Sequence, residues 1–488
     1  VTTKDEKLDN ICEKYESLVS VEIHTQLKTR SKLFCRCANS YGAPPNSVVC
    51  PTCLGLPGSL PALNEKAVEL GTMAALALGS HINMHSSFDR KNYFYPDLPK
   101  SYQITQHFAP LAIGGSLEFE KKGGRDRVEI ERMHIEEDAG KTVYDEKTGE
   151  SLIDFNRCGV PLLEIVTKPA SLGPDEVYSL LNAARRLLRY LMISDCDMEK
   201  GNLRCDVNVS VMPCGSEKPG TRTEIKNLNS FRAVKQALAY EKKRQVGIVE
   251  SGGRVKLETL LWDASSGTTA LQRSKEKSND YRYFPEPDLP PLILCEDVLH
   301  DIKASIPEFP SARIRRFMET YSLPLQTAEL LVRDKELADY FENALRYYDN
   351  AIVLANWISG HLMKEMNERS KSIVSLELQP EHLAQIAELA GSGKITVVSA
   401  KNLLSKTIDT GQSPSDLLSK NDFSIESDEN TLRELVIRAI SLNATASRDY
   451  RAGKTESLQF LLGQVMKLSS GRADPLKASK IIEEMLEN

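Results

Sequence analysis

In residues 19–27, Val19, Val21, Ile23 and Leu27 alternate with polar residues, and this period of two constrains the fold more than any other feature of the chain. Such a segment is read as a strand with one buried face, so Glu22 and His24 emerge together on the other, roughly 7 Å apart along the backbone. A carboxylate beside an imidazole can hold a divalent cation or activate a nucleophile. Two later segments repeat the device. Leu203, Cys205, Val207 and Val209 form an apolar face opposite Arg204, Asp206, Asn208 and Ser210, while Arg222, Glu224 and Lys226 share a polar side. A solvated sheet face accounts for any one of these segments. Three together predict a sheet whose open side is a charged basin.

At 488 residues the chain exceeds a single core, and two to four domains are expected. No run approaches the ~18 apolar residues of a membrane span, so no membrane partner is expected. The net charge of −6 carries no global nucleic-acid signature, but residues 444–480 hold seven Arg/Lys against three Asp/Glu. The N-terminus is too charged for a secretory signal and too acidic for a transit peptide. It lacks an initiator Met, which reads as a processed end and favours a mitochondrial matrix or chloroplast stroma location over a bacterial cytoplasm.

Four of the ten cysteines are grouped. Cys35 and Cys37 are separated from Cys50 and Cys53 by twelve residues that include Gly42, Pro44 and Pro45. Two close pairs on turns can place four thiolates tetrahedrally, which suits structural zinc with no open coordination position. Reduced thiols and disulfides are the alternatives, although Cys35 and Cys37 could hardly bridge each other without strain.

A helix is predicted over 61–78. Residues 88–106 are dense in aromatic, basic and amide side chains with poor periodicity. They read as a substrate-lining loop, with a packed surface loop as the alternative, because Arg90, Lys91, Lys100 and Gln103 offer phosphate and polar recognition together. His134, Glu136, Glu137 and Asp138 concentrate charge that requires a cation or basic neighbours, and Glu136 or Glu137 could complete the basin. Helices from Pro174 and over 230–250 are expected on the back of the sheet. Beyond about 297 the pattern turns helical. The expected organisation is an N-terminal extension (1–17), a sheet domain (18–298) with the cysteine clip at 35–53, a helical domain (299–412) and a small tail (413–488). In the tail, Lys467, Arg472, Lys477 and Lys480 could meet an RNA backbone, or could line a solvated helix surface.

Several long segments resemble the GatB/GatE family, the B subunits of tRNA-dependent aspartyl/glutamyl amidotransferases. They include Val21-Glu-Ile-His-Thr-Gln-Leu27, the run from Phe88 to Lys100, His134-Ile-Glu-Glu-Asp-Ala-Gly-Lys141 and Pro161-Leu-Leu-Glu-Ile-Val166. Leu203 to Ser210, Glu224 to Phe231, Asp280 to Asp288 and Phe460 to Lys467 continue the match, which covers nearly the whole chain. The resemblance implies an α+β fold: a cradle domain on a largely antiparallel sheet with helices on one face, then a helical domain and a small YqeY-like tail, residues from about 340 to 488 being YqeY-like together. It implies ATP and Mg²⁺ as cofactors and a misacylated tRNA, Glu-tRNA(Gln) or Asp-tRNA(Asn), as the substrate amidated. Matched positions imply Mg²⁺ on Glu22, His24, Glu137, Asp206 and Glu224, with Glu136 adjacent, and place Lys91 and Glu137 at the mouth of an ammonia tunnel. Lys226, Arg204, Lys91 and Arg90 are the candidate phosphate contacts. No Gly/Ser-rich nucleophile segment with a Lys partner is found, so ammonia is expected from the family's amidase (A) subunit, with a small C subunit completing a heterotrimer. A non-enzymatic, zinc-stabilised tRNA-binding adaptor is the competing reading.

Overall fold

The alternation over the first segment produces one strand of twelve residues in a computed structural model that describes residues 10–274, 280–420, 425–426 and 428–487. Residues 1–9 of the expected N-terminal extension lie outside the described residues. The chief strands are β1 (Tyr15–Gln26), β2 (Gly124–Glu137), β3 (Pro161–Thr167), β4 (Leu203–Pro213), β5 (Thr223–Lys226), β6 (Glu258–Asp263) and β7 (Thr268–Ser274). They are hydrogen-bonded in the order β7-β6-β5-β4-β1-β3-β2, extended by Ala112–Ile113 and His81–Ile82. Pairing is antiparallel except between β5 and β6. β1 is therefore a central strand, flanked by β3 and β4.

Period-two patterning decides which face is dry. Val21, Ile23, Ile135, Leu163, Val207 and Ile225 join one buried cluster with residues of α2 (Glu65–Ala77), α3 (Pro174–Tyr190) and α4 (Phe231–Glu250); α1 is the short helix Pro51–Leu54. Each such side chain contributes about 1.5–3 kcal/mol on burial. The helices start where the sequence supplies caps: the side chains of Asn64 and Ser230 accept the backbone N–H of Ala67 and Ala233. One buried polar network ties α4 to the sheet. Glu241, with no exposure, accepts from Thr223 Oγ1 on β5 at 3.0 Å, from Gln245 Nε2 at 3.0 Å and from Arg244 NH2 at 2.7 Å.

Two sequence expectations change. Residues 88–106 are not one irregular loop: Asp89–Asn92 and Tyr102–Thr105 pair as an antiparallel hairpin. Their inward positions are polar, with Asp89, Gln103 and Thr105 buried, so no apolar alternation announces them. The boundary expected at 298 falls inside the helix Glu296–Ser305, whose Ile302 belongs to the sheet-domain core. The first compact unit runs to Pro307 and the second begins at Glu308.

In the second unit the regular elements among the described residues are helices, apart from a single bridge between Glu426 and Ala473. Its helices include Leu325–Leu331, Pro414–Lys420 and Ala444–Arg451. Leu432, Val436, Leu461, Val465 and Ile482 form a small core at its C-terminal end.

Candidate active site

Sheet register brings the charged residues into rows. His24 on β1 lies opposite Glu164 on β3, and Glu164 lies opposite His134 on β2. Glu22 lies opposite Asp206 on β4, and Asn208 lies opposite Glu224 on β5. Residues on one face of adjacent strands stand close together, so the open side becomes a concentrated set of ligands. Glu22, Asp206 and Glu224 place one carboxylate oxygen each within 4.8 Å of one another; ligand atoms of Glu22, His24 and Glu164, and of His134, Glu136 and Glu164, converge within the same distance.

Electrostatics follow from this crowding. Burial raises the Glu22 carboxyl above its usual range, and Glu164 pushes the same way. Burial opposes a charged His134, but Glu164, with its oxygen 2.9 Å from Nε2, and Glu136 outweigh it and push the imidazole up to about 9. Glu164 in turn is brought down to about 2, because His134 and His24 outweigh its burial. Lys226 stands between Asp206 and Glu224, with Nζ 3.1 Å from Glu224 Oε1. Burial disfavours its charge, yet the two carboxylates hold it above the ordinary lysine range. Lys91 enters from the hairpin with its ammonium 5.0 Å from the Tyr281 ring centroid. The cavity so formed, about 270 Å³, is closed on that side by Thr105, His107 and Tyr283. His107 and Tyr283 stack at 3.8 Å.

Of the residues singled out in the sequence, Glu22, His24, Lys91, Glu136, Asp206, Glu224 and Lys226 line this cavity. Three do not. Glu137 alternates to the other face, where it accepts from Lys100 Nζ and, at 2.9 Å, from the Ile104 N–H. Arg204 shares the row of His24, but its guanidinium is held by Asp138 at 2.6 Å. Arg90 is clamped on Glu286 at 2.7 and 2.8 Å and packs over Tyr102. Each is drawn off by a carboxylate, or a lysine, distant in the chain. Glu164 also lines the cavity, and local pattern does not single it out because β3 is buried at every position and reads as an apolar run. Its single carboxylate in that run was the available signal. In the tail, Lys467, Lys477 and Lys480 lie on Glu456–Leu468 and Pro475–Glu487, and Arg472 is half-buried between those helices in sequence.

The four grouped cysteines also converge. A bridge between Ser31 and Ala38 folds Cys35 and Cys37 back as a tight loop; Cys50 precedes α1 and Cys53 lies within it. All four are free thiols whose sulfurs lie within 4.8 Å of one another. Ideal tetrahedral zinc requires sulfurs about 3.8 Å apart, and four sulfurs within 4.8 Å of one another are compatible with that geometry. The hydrogen bond from Cys35, then that from the Cys50 backbone N–H, and after them the nearby charge of Lys32 bring Cys53 down to about 5 against burial.

Residues 17–300 match the family described as the GatB/GatE catalytic domain, and residues 339–486 match the GatB domain. Three similar proteins carry the name of the B subunit of aspartyl/glutamyl-tRNA(Asn/Gln) amidotransferase. That of Thermomicrobium roseum is 47% identical, that of Carboxydothermus hydrogenoformans 45% and that of Caldicellulosiruptor saccharolyticus 44%, each over 97% of this chain and 99% of the relative.

Proposed function

The chain belongs to the GatB/GatE family, and from that premise we propose that it uses ATP to activate the side-chain carboxylate of misacylated Glu-tRNA(Gln) or Asp-tRNA(Asn) for amidation. A carboxylate oxygen attacks the terminal phosphorus and forms a C–O–P bond as the P–O bond to ADP breaks. Ammonia then adds to the activated carbonyl carbon and phosphate leaves. No general base is needed for the first step, since the substrate carboxylate is already ionised at neutral pH.

The observation that carries this reading is the convergence of Glu22, Asp206 and Glu224 around the ammonium of Lys226. Hard carboxylate oxygens beside one imidazole fit Mg²⁺, so these three residues, with His24, would hold it. Bound there, the ion would neutralise charge on the transferring phosphoryl group. Lys226 and Lys91 offer charge to phosphate oxygens from the chain itself, and the stacked His107 and Tyr283 wall the cavity. The cysteine clip would carry structural zinc. Ammonia would come from the amidase subunit of a heterotrimer with a small C subunit, and Lys467, Arg472, Lys477 and Lys480 would meet the tRNA backbone. Among the described residues no helix is long and apolar enough to cross a membrane. The named relatives are bacterial proteins, which lends an organellar location no support.

The test is an amidation assay with the chain co-purified with its partner subunits, ATP and each misacylated tRNA in turn. Amide formation that requires ATP, with ADP and phosphate released in step, is expected. ADP release without dependence on the aminoacyl carboxylate would overturn the reading.

A further inference from the structure

Lys32, beside the cysteine clip, is buried in a way that demands an explanation. It has no solvent exposure, a position an ammonium occupies only when paired. Its Nζ donates to the Val48 carbonyl at 2.8 Å and lies 3.7 Å from Cys53 Sγ. Its own N–H donates to the Cys37 carbonyl at 2.9 Å, so backbone and side chain together span both halves of the clip. The opposite wall is equally specific. A Cβ on Gly159 would lie 3.4 Å from Cys53 Cβ and 3.7 Å from Lys32 Cδ, and this glycine has φ +79°, which favours the absence of a side chain.

Four thiolates around a divalent ion leave two negative charges in excess. Charge of that density in a low-dielectric lobe is stabilised by a cation close by. We propose that Lys32 is the built-in counter-cation of the clip, its ammonium resting against Cys53 and halving the excess charge of a tetrathiolate-bound zinc, so that Lys32 governs how tightly the metal is held. This rests on the clip being a zinc site. Lys32 is a positioning and charge-balancing residue; it is not a ligand.

Zinc competition with a chromophoric chelator, on the full chain, compares the unmodified protein with Lys32→Met and Lys32→Arg. Co²⁺ substitution reports tetrathiolate ligation by its absorption. The expected result is affinity weakened roughly 10–100-fold in Lys32→Met, an unchanged Co²⁺ spectrum, and near-normal affinity in Lys32→Arg. Equal affinity in Lys32→Met overturns the proposal. Should Lys32→Met not fold, Lys32→Gln, which keeps a donor for Val48 without the charge, is read in the same way. An unmodified chain that takes up neither zinc nor Co²⁺ overturns the clip as a metal site and this inference with it, a result distinct from a metallated clip indifferent to residue 32.

Discussion

His24 on β1 and Glu164 on β3 are direct cross-strand partners, with Nδ1 3.8 Å from Oε2, although 140 residues separate them in the chain. The same Glu164 oxygen takes His134 Nε2 at 2.9 Å, so one carboxylate orients two imidazoles. Removing it leaves both facing Glu136 alone, 3.7 Å from His24 Nδ1 and 3.5 Å from His134 Nε2. Glu164→Gln is expected to weaken Mn²⁺ binding roughly 10–100-fold, measured by electron paramagnetic resonance of the free ion, while the far-ultraviolet spectrum stays unchanged. Unaltered Mn²⁺ affinity would show that Glu164 has no part in holding metal.

Lys226 occupies the position of a cation between Asp206 and Glu224. Lys226→Met is therefore expected to act in two directions. Mn²⁺ should bind more tightly without nucleotide, by about tenfold, since a competing positive charge has gone. Amidation should nevertheless fall by roughly 10²-fold or more, as a contact to developing phosphate charge is lost. Weaker metal binding in the variant would mean that the lysine supports the site instead of competing for it.

The network under β5 predicts a stability effect with a functional echo. Glu241→Ala leaves Arg244 and Thr223 without their common acceptor and is expected to cost about 3–5 kcal/mol, read from urea unfolding. Because Thr223 adjoins Glu224, metal affinity should fall as well. A variant as stable as the parent would show the network to be dispensable.

In the second unit, buried Arg313 pairs with Asp339 at 2.7 Å and with Glu342, and Arg316 pairs with Glu342 at 2.6 Å. Burial raises both carboxyls, but their bonds to Lys335, Arg313 and Arg316 win and hold them below the ordinary range. A depressed folded pKa stabilises fully above the unfolded value and loses that contribution as pH falls through the folded one. Melting temperature should thus fall on acidification below about pH 4, and fall less steeply in Arg313→Met. Parallel pH profiles for the two proteins would contradict this.

Much of the basin is legible in the sequence. A period of two assigns each side chain to a face of its own strand, so Glu22, His24, Asp206 and Glu224 read as open-side residues from local pattern alone. Glu164 does not, because β3 is buried on both faces and offers no alternation. The hairpin of 89–92 and 102–105 is hidden for the converse reason, its buried positions being polar.

Local chemistry thus determined the strands, their apolar faces, the capped helices, the clustering of four cysteines and the kind of residue available for metal and phosphate. Which strands become neighbours, and in what register, was settled only by the folded chain. So was the fate of the long charged side chains: Arg90 went to Glu286, Arg204 to Asp138 and Glu137 to Lys100, leaving Lys91 and Lys226, together with Arg132, in the basin. The reason is physical. Backbone periodicity is a property of adjacent residues, whereas a buried charge is satisfied by whichever opposite charge lies within reach in space, however far away it stands along the chain.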